Sequence, residues 1–253
     1  MSFSHYVALG DSMSSDLYPA LDAGATEVAV NLEWNAGAGD VAPLGAASLL
    51  HRNDDERFPE LAGEDLATRW SGIAFANLCE DGATVPDVFG EQLDALEATV
   101  ADARGEQVLV TLTVGTNDLL HALMSRPSAS LMKAKTRDIV DASAALVARI
   151  AELVPGARLV LTTLWDPTDG TGLAPGVPED DAALPLEHLE RFNDALRALA
   201  ACTPNAMLAD AHAAFLGHGV SAPPDERWYW RRSLIEPGLV GASELRRVWW
   251  ELL

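Results

Sequence analysis

Lysine is almost absent from this 253-residue sequence: Lys133 and Lys135 are the only two, and arginine supplies the rest of the 17 basic side chains. Against them stand 38 carboxylates, a formal net charge of −21. A surface that negative repels phosphate backbones and anionic headgroups, so neither nucleic acid nor a membrane surface is an expected partner. The acidity fits a salt-rich cytoplasm or genomic base bias equally well. Cysteine is as scarce. Cys79 and Cys202 are too few for a disulfide framework, and both are expected to be buried free thiols. No stretch approaches the roughly 18 consecutive apolar residues of a membrane span. No basic and then apolar leader opens the chain either, since a strand-like run begins at His5. These absences point to a cytoplasmic protein without membrane insertion. No Walker loop and no GxGxxG follows a strand, so no cofactor is expected. No metal is expected either, because His212 and His218 lack a Cys or HExxH partner.

What is present is a globular composition, 49% hydrophobic with 19 Gly and 14 Pro, able to bury a large core. Five short apolar runs read as strands: His5–Leu9, Ile73–Cys79, Gln107–Val114, Arg158–Trp165 and Ala206–Asp210. Helix-period segments separate them, at Val85–Val100, Ser130–Val154, Leu184–Ala201 and Gly241–Leu252. Strands that are apolar throughout, alternating with helices, indicate a mostly parallel five-stranded sheet covered on both faces, a three-layer α/β/α fold. In such sheets the ligand crevice lies at the carboxyl ends of the strands. Two stretches break the alternation, Met13–Pro59 and Asp166–Pro185, and both are expected to rise over that crevice. Without a repeat or a linker, residues 1–253 are expected to form a single domain. The oligomeric state is left open.

Chemistry is therefore sought where strands end. The first runs into Gly10-Asp11-Ser12-Met13-Ser14, which puts a hydroxyl at the carboxyl edge behind a tight turn. Ser12 is placed there either as a nucleophile, with backbone N–H groups nearby to hold an oxyanion, or as a helix cap. The third strand ends in Val114-Gly115-Thr116-Asn117-Asp118, and the second leads to Glu80-Asp81-Gly82-Ala83-Thr84. Each of these reads alone as a turn and cap. Together they bring Ser, Gly and Asn to the ends of three neighbouring strands.

In these blocks, in this order, the sequence resembles the SGNH (GDSL-type) hydrolases from residue 5 to the end of the chain. Gly10-Asp11-Ser12 is similar to their nucleophile block, Gly82 to their glycine block, and Gly115-Thr116-Asn117-Asp118 to their asparagine block. The resemblance implies a cofactor-independent hydrolase acting on a small ester through an acyl-enzyme on Ser12. The oxyanion would be held by the Ser12 and Gly82 N–H groups and the Asn117 amide; Asp11 would be a turn residue. The same residues permit transfer of the acyl group to an alcohol.

The sequence departs from that family at the carboxyl end. Where the family carries Asp-x-x-His, this chain has Ser233-Leu234-Ile235-Glu236-Pro237, with Ser233 in place of the Asp and Glu236 in place of the His. Segments similar to Gly45-Ala46-Ala47-Ser48-Leu49-Leu50, Phe215-Leu216-Gly217-His218-Gly219 and Ile235-Glu236-Pro237 mark a subgroup. Three readings follow. Another histidine supplies the base, His218 before His212, with Glu236 orienting it. Or Glu236, its pKa raised by burial, is itself the base. Or the protein binds a ligand without hydrolysing it. Trp228, Tyr229 and Trp230 wall a pocket or pack in the core, while Trp249 and Trp250 pack or meet a partner.

Overall fold

A computed structural model of the protein describes residues 2–25, 42–103, 105–173 and 185–253. Five strands, β1 (His5–Gly10), β2 (Ala74–Asn77), β3 (Val108–Thr113), β4 (Arg158–Thr162) and β5 (Ala206–Ala209), form one parallel sheet in the order β2-β1-β3-β4-β5. Side chains alternate across a strand, so sequence neighbours feed separate cores. Tyr6, Ala8, Leu109 and Val160 enter one; Val7, Leu9, Val108, Val110, Leu112, Leu159 and Leu161 enter the other. The three central strands are apolar at nearly every position because both their faces are covered. Edge strands β2 and β5 are only half-buried.

The helices are α1 (Leu17–Asp22), α2 (Ala46–His51), α3 (Leu66–Arg69), α4 (Val85–Asp87), α5 (Leu93–Thr99), α6 (Thr116–Met124), α7 (Ala129–Leu153), α8 (Leu186–Cys202), α9 (Ala211–Phe215) and α10 (Leu239–Trp250). A π-helical turn at Val88–Gln92 joins α4 to α5. α2, α8 and α10 cover the Tyr6 face through Leu49, Leu50, Phe192, Leu245 and Trp249. α4, α5 and α7 cover the other through Val85, Leu93, Leu96, Leu146 and Ile150. The expected helices lie within two or three residues of their observed bounds. The caps set those bounds: Ser128 Oγ accepts from Leu131 N–H to open α7, and Gly156, at φ +88°, follows its end.

Two expectations need correcting. The second half of the Met13–Pro59 segment does not rise over the crevice. It forms α2, whose Ala46, Leu49 and Leu50 are fully buried in the Tyr6-side layer. Arg246 on α10 locks the chain that follows, donating to Glu64 O at 2.8 Å and to the Asn53 side chain. Residues 26–41 and 174–184 of the two expected crevice segments lie outside the described residues. The second correction concerns the thiols. Both cysteines are free, but Cys202, in the last turn of α8, is exposed, while Cys79 is half-buried as a residue and its thiol pKa is pushed well up by burial. Cys202 stands on the polar side of an amphipathic helix, where its period, not its hydrophobicity, decides its exposure.

Candidate active site

The chain reverses its direction of strand addition at β1, where β2 lies on one side and β3 on the other. That switch point opens a crevice at the carboxyl edge, and Ser12 stands beside it, two residues beyond the end of β1. The turn that presents it is tied down on both sides. Asp11 N–H donates to Thr113 O at 2.9 Å, and Glu80 N–H donates to Gly10 O at 3.0 Å. Gly10 has φ +132°, and a Cβ there would stand 1.8 Å from Thr113 O, so only glycine allows β1 and β3 to close at this point. Asp11 Oδ1 accepts from Met13 N–H at 3.1 Å, and Ser14 Oγ pairs with Thr113 Oγ1 at 2.7 Å. The Ser12 N–H has no acceptor among the described residues.

The other two blocks lean on the same turn. Thr116 Oγ1 reaches Met13 Sδ at 3.7 Å, joining the start of α6 to the serine turn. Asn117 Nδ2 donates to Ala83 O at 2.9 Å, and the Asp118 carboxylate accepts from Val85 N–H at 3.0 Å. The asparagine block thus grips the glycine block. An amide carries two N–H bonds, so with one held by Ala83 O the other is left to donate. Gly82, at φ +76°, makes the turn between β2 and α4, and its N–H faces the Asp81 carboxylate.

Glu236 arrives from the far end of the chain. Residues 228–238 fold back on themselves: Trp230 N–H donates to Glu236 O at 2.8 Å, Tyr229 bridges Pro237, and Gly238 N–H donates to Trp228 O at 2.8 Å. Trp165 Nε1 donates to Ile235 O at 3.1 Å and anchors this strap to the end of β4. It leaves the Glu236 carboxyl, 8% exposed, beside the Ser12 hydroxyl, close enough for that hydroxyl to act on its pKa. Burial pushes the Glu236 pKa up to about 7; the Ser12 hydroxyl pulls it down and the Asp81 charge adds to the rise. Its Oε2 is buried without a hydrogen-bond partner among the described residues. Asp11, fully buried, is pushed up to about 8, chiefly by burial and further by the Glu236 charge.

His218 stands elsewhere. Its ring lies flat on Trp228, centroids 3.7 Å apart and 10° from parallel. The loop that carries it is pinned by Asp169, which accepts from the N–H groups of Gly217, Gly219 and Ser221. No hydrogen bond or ion pair joins His218 to Ser12 or Glu236 among the described residues, and the ring contact that holds it is with Trp228. His212 Nδ1 is within 3.2 Å of Leu164 O, at the end of β4. The aromatic trio divides. Tyr229 is buried against Trp165 and Phe215, Trp228 packs on His218 and Phe215, and Trp230 meets Tyr18, rings 5.2 Å apart.

Sequence reasoning missed Tyr18 and gave Asp81 no role. The Tyr18 hydroxyl lies near enough to the Asp81 carboxyl to act on its pKa, which burial raises. Tyr18 sits in the long segment after Ser12, where no periodicity singles it out. Asp81 precedes Gly82 in a stretch rich in acids. No group of three or more metal-ligating side chains occurs among the described residues. None of their helices is long and apolar enough to cross a membrane.

A family model described as the GDSL-like lipase/acylhydrolase family matches residues 8–232, a span that takes in the serine, glycine and asparagine blocks and stops short of Glu236. No curated protein matches the sequence. Among solved structures, one described as a GDSL-like lipase from Parabacteroides merdae superposes with a TM-score of 0.64 at 15% identity, over 99% of this chain and 96% of that one. Phospholipase A1 from Streptomyces albidoflavus gives 0.57 at 19%, over 98% of both. An acetyl xylan esterase from Geobacillus stearothermophilus gives 0.56 at 17%, over 99% and 94%. At such identities the likeness speaks for the fold.

Proposed function

Because the chain belongs to the GDSL-like lipase/acylhydrolase family, we propose that it is a serine hydrolase of carboxylic esters in which Ser12 is the nucleophile and Glu236 the general base. The observation that carries this reading is the Glu236 carboxyl facing the Ser12 hydroxyl in a setting that raises its pKa to about 7. An ordinary carboxylate is too weak a base to take a serine proton, whereas one poised near neutrality is matched to the task. Ser12 Oγ attacks the ester carbonyl as its proton passes to Glu236. The oxyanion that forms is met by the Ser12 N–H and the free N–H of the Asn117 amide, and by the Gly82 N–H once it leaves the Asp81 carboxylate. Collapse expels the alcohol, which takes the proton back from Glu236. Water, deprotonated by Glu236, then attacks the acyl-enzyme and releases the acid and Ser12. The two free cysteines accord with a cytoplasmic location.

The test is the intact mass after exposure to a fluorophosphonate, with Ser12→Ala as control. One adduct, lost in the variant, supports an activated Ser12. A second reading, ligand binding without turnover, draws on the missing Asp-x-x-His. A folded protein that takes no adduct favours it and sinks the hydrolase.

A further inference from the structure

Building on the hydrolase reading above, we propose that Asp22 is a positioning residue: it caps α10 from the segment that carries Ser12 and thereby holds the Glu236 carboxyl at that serine. The first ground is a helix that lacks a cap of its own. α10 opens at Gly238, at φ −76° and ψ −178°, which has no side chain to take up a first-turn N–H. The Leu239 N–H is met instead by Asp22 Oδ2 at 2.9 Å, from a residue 217 positions away. A Cβ on Gly238 would stand 2.9 Å from that same oxygen, so Asp22 takes the place that a serine or threonine cap would fill.

What lies at either end of this bond is the second ground. Asp22 closes α1, the first helix after Ser12. The chain between them is held: Ser15 Oγ donates to Ser12 O at 3.4 Å, and Ala20 N–H donates to Asp16 O at 3.1 Å. Asp16 is itself fixed to α2, accepting from Gly45 N–H at 2.7 Å and from Ser48 Oγ at 2.9 Å, and Pro19 and Ala20 are buried. At the other end, Leu239 follows Glu236-Pro237-Gly238. Proline fixes its own φ and keeps the residue before it extended. Gly238 is held by its N–H on Trp228 O at 2.8 Å, so a short, stiff piece of chain joins Glu236 to α10.

The strap is thus tethered on both sides of Glu236, at Ile235 O by Trp165 and at Leu239 N–H by Asp22. The two tethers do different things. Trp165 ties the strap to the end of β4, whereas Asp22 ties it to the arm that leaves the serine. Tyr18, on the same helix as Asp22, meets Trp230 of the strap with its ring, 5.2 Å away. Glu236 serves as a base only while it is both near the serine and out of water. Cutting the Asp22 tether loosens both conditions: the carboxyl drifts from Ser12, and water reaches it. Since burial is what raises its pKa, that water lowers it again.

The test follows the rate of Ser12 labelling by a fluorophosphonate across pH, on protein shown to be folded. Wild-type labelling should rise with a midpoint of about 7, as Glu236 loses its proton, and then level off. Asp22→Ala should lower that plateau by about 10- to 100-fold, the scale of a misplaced catalytic group, and move the midpoint below the wild-type value. A role in stability alone moves neither quantity. Asp22→Asn, whose amide oxygen still accepts from Leu239 N–H, should label as the wild type does. In a Glu236→Gln background, Asp22→Ala should cost nothing further, because it acts through that carboxyl. Should Asp22→Ala not fold, Leu239→Pro removes the same bond from the donor side. It stands at a first helical position after an extended residue, where proline is accepted, and the same fall and shift are expected. An unchanged plateau and midpoint in the variant that folds overturn the inference, as do losses that multiply in the Glu236→Gln background. If Glu236→Gln labels like the wild type, Ser12 stays the nucleophile, but Glu236 is not its base and the inference falls. If the wild type takes no adduct, the hydrolase reading falls and the inference with it.

Discussion

Gln92 grips both backbone groups of Gly10: its Oε1 accepts from Gly10 N–H at 2.8 Å and its Nε2 donates to Gly10 O at 2.8 Å. The side chain is 2% exposed and comes from the π-helical turn between α4 and α5. A π turn re-aims a side chain that a regular helix would point differently, and such turns recur at functional sites. The residue so held lies two before Ser12, so the clamp fixes the turn that carries that serine.

Replacing it with Leu keeps the volume and removes both partners. Gly10 O keeps the Glu80 N–H, but the buried Gly10 N–H is left unpaired, at a cost of about 1–3 kcal/mol. Gln92→Leu should therefore lower urea stability by about 1–3 kcal/mol and slow fluorophosphonate labelling of Ser12 on protein that is still folded. Unchanged stability would show that Gly10 finds other partners.

Asn117 offers a similar economy, with one amide N–H on Ala83 O at 2.9 Å and the other left for an oxyanion. Asn117→Ala should reduce kcat by about 10²- to 10³-fold, the usual cost of one oxyanion donor, with little change in KM. Asn117→Asp should do no better. Its carboxylate offers no N–H and opposes the developing negative charge. A loss confined to KM would assign Asn117 to binding instead.

These contacts show how much the sequence disclosed. Buried parallel strands announce themselves, because β1, β3 and β4 must be apolar on both faces. Ser12, Gly82 and Asn117 were legible as strand-end residues for the same reason. The base for Ser12 was legible only as a set of alternatives, Glu236 among them. Glu236 and Ser12 are separated by nearly the whole chain, and only the strap anchored by Trp165 to Ile235 O brings them together. A histidine between glycines read as free to reach the crevice. Instead His218 is stacked on Trp228, in a loop held by Asp169, an acid whose role no local pattern signals. Tyr18 and Gln92 were invisible because each acts through one tertiary contact.

The buried acids also set how stability depends on pH. Asp11, Asp16, Glu80, Asp81, Asp118 and Glu236 all have pKa values raised in the fold, chiefly by burial. A carboxyl with a raised pKa holds its proton longer folded than unfolded. Its contribution is whole below the unfolded value and is lost as pH rises to the folded one. For Glu236 that window runs from 4.5 to about 7, and for Asp11 from 3.8 to about 8. His51, lowered by burial, acts in the opposite sense. The urea midpoint should therefore fall between pH 5 and pH 8, and Asp11→Asn should flatten the slope. A midpoint that rises across this range would mean that these acids are ionised in the fold at pH 5.

The last prediction separates the two candidate bases. If Glu236 takes the Ser12 proton, Glu236→Gln should lower kcat about 10²- to 10⁴-fold, the range for a lost general base. His218→Ala should leave kcat nearly unaltered, because that ring is stacked on Trp228 and makes no hydrogen bond or ion pair to Ser12 or Glu236 among the described residues. The pH profile alone does not discriminate, since a carboxyl near 7 and an ordinary imidazole give similar midpoints. In both cases kcat/KM rises with pH and levels off once the base has lost its proton. Temperature divides them: carboxyl ionisation is almost athermal, whereas imidazole ionisation absorbs heat. The midpoint should stay in place on warming if Glu236 is the base and move to lower pH if a histidine is. A moving midpoint, together with inactive His218→Ala, would return the base to the glycine-flanked loop and leave Glu236 the task of orienting it.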